Sequence, residues 1–192
     1  MNASARRDFA ALLGDRRGLL DAPHLRAQVE AIVAAMVAAF RGGKKVLWFG
    51  NGGSAADAQH LSAEFSGRFL RERGGLPSES LTVNTSALTA IANDMGFENI
   101  FVRQLEAFAR PGDVVVGITT SGTSPNIVRG LEEAKRRGAT TVAFTGNGGG
   151  RVAEIADLIL LGPSGYSAIV QEVHITMGHI ICDLVEQALL FE

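Results

Sequence analysis

One cysteine in 192 residues, Cys182, leaves no partner for a disulfide within the chain and is compatible with a reducing compartment. Proline is scarce, at five, and the glycines follow no period of three, which excludes collagen and Pro/Gly-rich disorder. Neither sign of charge dominates: 18 basic residues face 20 acidic ones, a net of −2. That balance gives no broad electrostatic footprint for nucleic acid and no basic tail for a membrane surface. No run of about 18 apolar residues reads as a membrane span. The opening MNASARRDF is not followed by the apolar stretch and small-residue cleavage site of a secretory signal. The expected location is the cytoplasm, with neither nucleic acid nor membrane as partner. Two nucleotide motifs are missing as well. There is no G-x-x-x-x-G-K-[ST], and the turn after the first apolar run reads G-N-G-G-S-A instead of G-x-G-x-x-G.

Glycine is what the chain has in surplus: 23 residues, where an average chain of this length carries about 13. Glycine is needed where backbone takes positive φ or approaches something closely. The 46% hydrophobic content is that of a globular protein able to bury a sizeable core, and no composition shift divides the chain. One domain over residues 1–192 is expected, with residues 1–42 as a helical extension. Phe9, Leu12, Leu13, Leu19 and Leu20 recur at near-helical spacing, as do Leu25, Val29, Ile32, Val33, Met36, Val37 and Phe40, ending at Gly42-Gly43. Short apolar runs then alternate with helical patterns. Strands are predicted at 45–49, 80–84, 113–118, 140–145 and 158–161. Helices are predicted at 54–66 with Ser54 as N-cap, then at 87–92, 99–109, 124–137 and 168–190. This order means an α/β fold, a parallel sheet covered by helices on both faces.

Ligands of such sheets bind beyond the carboxyl ends of strands, at helix N-termini. Two loops lie there. Gly50-Asn51-Gly52-Gly53-Ser54 offers backbone N–H groups, an amide and a hydroxyl. Thr119-Thr120-Ser121-Gly122-Thr123-Ser124 offers more hydroxyls and a second helix start. Helix N-termini favour anions, and dense Ser/Thr donors suit phosphate oxygens or sugar hydroxyls. The same residues also serve simply as helix caps. The Gly146–Gly150 stretch forms a third such turn with no assigned role.

His60 and Glu64 stand four apart on the helix leaving the first loop, so one atom can meet both; a solvated polar pair has the same spacing. On the last helix, His174 and His179 point roughly 140° apart, and helical periodicity prefers Glu172 over Gln171 as the neighbour of His179. His60, Glu64 and His179 are metal-competent types, although spacing alone does not join them. His24 reads as solvated surface, and Cys182 and Trp48 as core. Asn93-Asp94 serves as a turn or reaches the cleft; Arg68 is a phosphate clamp or a surface cation.

Together, Gly50-Asn-Gly-Gly-Ser-Ala-Ala-Asp-Ala-Gln-His60, Glu64-Phe-Ser-Gly-Arg68, Ala92-Asn-Asp-Met-Gly-Phe97, Thr119-Thr-Ser-Gly-Thr-Ser124 and Gln171-Glu-Val-His174 resemble the phosphoheptose isomerases, enzymes built on the sugar-isomerase (SIS) domain. The resemblance spans nearly the whole chain. It implies a flavodoxin-like, doubly wound three-layer sandwich with a five-stranded parallel sheet. It also implies a homotetramer with active sites between subunits, in which residues 1–42 pack. The implied reaction interconverts sedoheptulose 7-phosphate and D-glycero-D-manno-heptose 7-phosphate on the way to lipopolysaccharide or related heptosides. By motif, Glu64 and His179 fall on the family's catalytic positions. His60, Glu64, Gln171 and His179 fall on positions that hold zinc in some members. Substrate-contacting positions are matched by Asn51, Gly52, Gly53, Ser54, Arg68, Asn93, Asp94, Thr119, Thr120, Ser121, Ser124 and Gln171. The chain departs from the pattern in two places. Thr119 replaces a common serine, and the loop before Gln171 reads Gly165-Tyr-Ser-Ala-Ile-Val170, without the basic residue many members carry there. A second class of SIS protein binds sugar phosphates or a replication initiator without catalysis. It shares the glycine loop but needs neither Glu64 nor His179.

Overall fold

The computed structural model describes residues 9–146 and 148–191; the Phe9 and Leu12 side chains of the expected first stripe, and Asn147 of the third turn, lie outside the described residues. After a short α1 (Phe9–Gly14), α2 (Pro23–Arg41) leads into β1 (Val46–Gly50) and α3 (Gly53–Ser66). Then come β2 (Ser78–Ser80), α4 (Thr85–Met95), α5 (Val102–Phe108), β3 (Val114–Ile118) and α6 (Pro125–Arg136). The chain continues with β4 (Thr140–Thr145), α7 (Val152–Ile155), β5 (Leu158–Leu161) and α8 (Ser167–Phe191).

The five strands form one parallel sheet in the order β2-β1-β3-β4-β5. Successive side chains of a strand point to opposite faces, and both faces here are apolar. Val46, Trp48, Val114, Val116 and Phe144 enter one core with α2, α3 and α8. Leu47, Phe49, Val115 and Ala143 enter the other with α5 and α6. The strand order reverses between β1 and β3, so the loops after these two strands flank the topological switch point, where such sheets bind ligands.

Several expectations are corrected. The second strand is Ser78–Ser80, shorter and earlier than 80–84. Leu81 N–H still donates to Trp48 O, but Ser80 Oγ and Thr82 Oγ1 then bond each other and the chain turns; Asn84 instead caps α4, accepting from Ala87 N–H at 3.0 Å. Ser54 is not an N-cap: α3 begins one residue earlier, with Gly52 at φ 56° before it. His24 is not free in solvent, since its Nε2 lies 2.8 Å from Leu161 O. The short α7 was not foreseen. By length and composition α8 would suffice to cross a membrane, contrary to the reading that no such stretch exists; half of that span is buried in this fold.

Candidate active site

The two loops converge at the switch point. Asn51 Nδ2 donates to Asn126 Oδ1 at 2.9 Å and Asn126 Nδ2 returns a bond to Asn51 Oδ1 at 2.8 Å. This reciprocal pair pins the β1–α3 loop to the first turn of α6. Asn126 is buried. A depression of about 510 Å³ lies beside it, lined by Asn51, Phe97, Glu98, Ser124, Pro125 and Asn126.

In the second loop, buried Thr119 accepts Gly122 N–H at 3.3 Å, and Ser121 Oγ accepts Thr123 N–H at 3.3 Å. Thr120 Oγ1 donates to Ser167 Oγ, at the start of α8, at 3.0 Å. The third glycine turn backs this loop. Gly122 has φ +70°, and a Cβ there would stand 2.1 Å from Gly149 O, so only glycine fits. Ser124 precedes α6 as its N-cap residue, with Pro125 in the first turn, although its side chain makes no capping bond.

Helices α3 and α8 run side by side in the same direction. Gly178 makes this possible: a Cβ there would lie 2.7 Å from both Leu61 methyl carbons. The approach sets His179 beside His60. Their Nε2 atoms are 2.9 Å apart, and His60 Nε2 is 3.3 Å from Glu64 Oε1. One ligand atom from each of the three lies within 4.8 Å of the others. Two Nε2 atoms at hydrogen-bond distance require one of them to be unprotonated. A tetrahedral zinc with bonds of about 2.0–2.1 Å separates its ligand atoms by about 3.3 Å, so this donor set fits such an ion. The cluster opens to solvent on the His60 side, where the imidazole is half-exposed.

The remaining candidates divide. Gln171 lies against the first turn of α3, with Nε2 3.5 Å from Ser54 Oγ and its amide closing on the Cα of Gly53. Seven residues separate Gly53 from His60, about 10 Å of helical rise, so within the chain Gln171 faces the loop end of the α3–α8 groove. Glu172, which periodicity preferred, turns away to pair with Arg16 at 2.7 Å. Arg68 is exposed and pairs with Glu72 at 3.3 Å. Asn93 and Asp94 bond each other on the exposed last turn of α4. These three side chains are directed to one another and to Glu72, not to the loops or imidazoles.

Sequence reading missed four residues. Asn126 and Ser167 tie loops together. Phe69 stacks on His179, with centroids 5.4 Å apart and planes 16° apart. Asp57, on the α3 flank that carries Glu64, buries Oδ2 without a hydrogen-bond partner among the described residues; burial raises its carboxyl pKa and nearby His60 draws it back. Only the position of Asp57, three residues before His60, hinted at such a role. His174 is enclosed, with Nε2 3.0 Å from Thr145 O, and burial depresses its pKa to about 4. Cys182 is core, its thiol held protonated first by burial and then by Glu64 and Glu186.

Comparison with known proteins agrees with this architecture. The SIS domain family profile matches residues 20–146. A phosphoheptose isomerase of Aquifex aeolicus is 57% identical over 160 residues, 83% of this chain and 84% of that one. One from Burkholderia pseudomallei is 49% identical over 187 residues, 97% of this chain and 91% of that one. Among solved structures, the Neisseria gonorrhoeae phosphoheptose isomerase superposes with a TM-score of 0.87 at 38% identity, covering 93% of this chain and 96% of its own. That of Francisella tularensis gives 0.89 at 33%, with the same coverage.

Proposed function

The chain belongs to the phosphoheptose isomerases of the SIS-domain family, and from that premise we propose how its residues share the work. The reaction interconverts sedoheptulose 7-phosphate and D-glycero-D-manno-heptose 7-phosphate in heptose synthesis. Going from ketose to aldose, a proton leaves C1 and another arrives at C2. The C1–H electron pair becomes the C1–C2 double bond of an enediol, and the carbonyl moves from C2 to C1. No net oxidation occurs, so no redox cofactor is needed.

Such chemistry needs a base for C–H, an acid for the carbonyl oxygen and a stabilised enediolate. Glu64 and His179 form the proton-transfer pair in our reading. The observation that carries it is the meeting of His60, Glu64 and His179 across 119 residues of sequence, in the groove between α3 and α8. Ser54, Thr119, Thr120, Ser121 and Ser124, with the N-termini of α3 and α6, anchor the phosphate and hold the sugar in register. Asn51, Gly52, Gly53 and Gln171 complete the substrate contacts; Arg68, Asn93 and Asp94, which turn away from the loops and imidazoles of their own chain, would reach substrate held by a neighbouring subunit. His60, Glu64, His179 and Gln171 would hold zinc, which when bound supplies Lewis-acid polarisation of the sugar oxygens. A purely sugar-phosphate-binding regulator would use the loops but has no task for the imidazole–carboxylate cluster.

We further infer a cytoplasmic homotetramer of single-domain subunits with sites between them, feeding heptose to a glycan such as lipopolysaccharide. What supports self-association is the open groove between α2 and α8, in which Val33, Val37, Leu184, Ala188 and Phe191 line the surface together with Glu30, Arg41 and Gln187. The test of the site is Glu64→Gln and His179→Gln. Each is expected to lower kcat by about 10²–10⁴. A variant that keeps wild-type turnover sinks the role assigned to that residue.

A further inference from the structure

We propose that Phe69 and Glu186 are positioning residues that hold the His179 imidazole in its working orientation. The inference rests on the reading of His179 as a proton-transfer residue. His179 is caught between two rings. The edge-on His60 imidazole stands at 5.1 Å and 60°, and the Phe69 ring lies nearly parallel to its face at 5.4 Å and 16°. A flat ring against an imidazole restricts rotation about its Cβ–Cγ bond, which decides where Nε2 points. Phe69 belongs to the segment joining α3 to β2, which has no regular structure of its own there.

Glu186 supplies the order. It lies seven residues after His179, two turns along α8 and roughly on the same face. Its side chain is fully buried. Oε1 accepts Phe69 N–H at 2.9 Å, and Oε2 accepts the N–H groups of Leu70 at 3.0 Å and Arg71 at 3.1 Å. Arg73 Nε donates to Oε1 at 2.9 Å, and its guanidinium reaches the Glu64 and Phe65 carbonyls at 2.7 and 2.8 Å. Burial alone would raise the Glu186 carboxyl pKa, but these amides and Arg73 hold it below the usual range. One carboxylate therefore ties the Phe69 segment to the helix bearing His179 and, through Arg73, to the last turn of the helix bearing Glu64. A buried ion pair is not the cheapest way to fix a surface loop. It does fix a stacking ring relative to both members of the proton-transfer pair.

The deciding variant is Phe69→Leu, which keeps an apolar side chain but removes the flat face. It is expected to lower kcat about 10- to 100-fold, the scale of an ångström-sized misplacement, with KM changed less than about twofold. Phe69→Tyr should restore kcat. In a His179→Gln background, Phe69→Leu should cost nothing further, because it acts through that ring. The His179 Cε1–H proton resonance should also move in Phe69→Leu as the neighbouring ring current is lost. Glu186→Gln should reproduce the loss in kcat together with a lower melting temperature. Wild-type kcat in Phe69→Leu overturns the proposal, as does a loss that persists undiminished in the His179→Gln background or that Tyr does not rescue. If His179→Gln itself keeps full turnover, the proton-transfer reading fails first. If His179→Gln is inactive while Phe69→Leu is normal, the positioning proposal alone fails.

Discussion

His174 makes the stability of this fold sensitive to mild acid. Its imidazole is completely buried against Phe144, with Nε2 bonded to Thr145 O and Nδ1 without a hydrogen-bond partner among the described residues. Burial lowers its pKa from 6.5 to about 4 in the folded chain. Between these values the unfolded chain binds more protons than the folded one, so stability rises with pH across the window and falls on acidification. The full shift is worth about 3 kcal/mol, little of it lost at pH 7 and about 2 kcal/mol lost at pH 5. His174→Gln provides the control. Its amide can still donate to Thr145 O but has no proton to gain. Unfolding should be followed by urea titration at pH 7 and pH 5, at fixed protein concentration because the proposed self-association would also contribute. The wild type should lose about 2 kcal/mol more than His174→Gln between these pH values. Equal losses in the two proteins would refute the argument that His174 is buried neutral.

Other variants probe the site's scaffold. Asn126→Ala leaves the Asn51 amide without its partner and should lower stability by about 1–3 kcal/mol, while KM for the sugar phosphate rises because the two loops lose their clamp. Denaturant melts and steady-state kinetics would check both. Gly178→Val places carbon against the Leu61 methyl groups; overpacking should cost about 1–3 kcal/mol and lower kcat by parting His179 from His60. Zinc should be found in the purified protein by elemental analysis, and a chelator should reduce both metal content and turnover. Light scattering at micromolar concentration should report a tetramer.

Much of the fold was legible because buried parallel strands read as continuous apolar runs. The segments Thr140–Thr145 and Leu158–Leu161 are found as expected, β1 is shifted by one residue at both ends, and β3 starts one residue later. Strand β2 was misplaced because Leu81, Thr82 and Val83 have β-prone side chains, yet local Ser80–Thr82 hydrogen bonding turns the chain there. Ser54 looked like a cap because its residue type favours that role; the positive φ of Gly52, invisible in sequence, starts the helix earlier. The spacing of His60 and Glu64 was readable, but not their meeting with His179, which depends on how closely α3 and α8 approach at Gly178. Periodicity misjudged Glu172 because it describes one helix, whereas Arg16 from the N-terminal segment draws that side chain away. Asn126, Ser167 and Phe69 escaped notice because each matters only through a partner distant in the chain.

In the proposed reaction this fold removes a proton from C1 of a heptose phosphate and delivers a solvent-exchanged one to C2. The direct measurement is NMR of sedoheptulose 7-phosphate incubated with the enzyme in D2O, with and without added zinc. The account predicts D-glycero-D-manno-heptose 7-phosphate carrying deuterium at C2, and a rate lower by about 10²–10⁴ in Glu64→Gln. No conversion under either condition, or conversion that leaves C2 free of deuterium after prolonged equilibration, would contradict it.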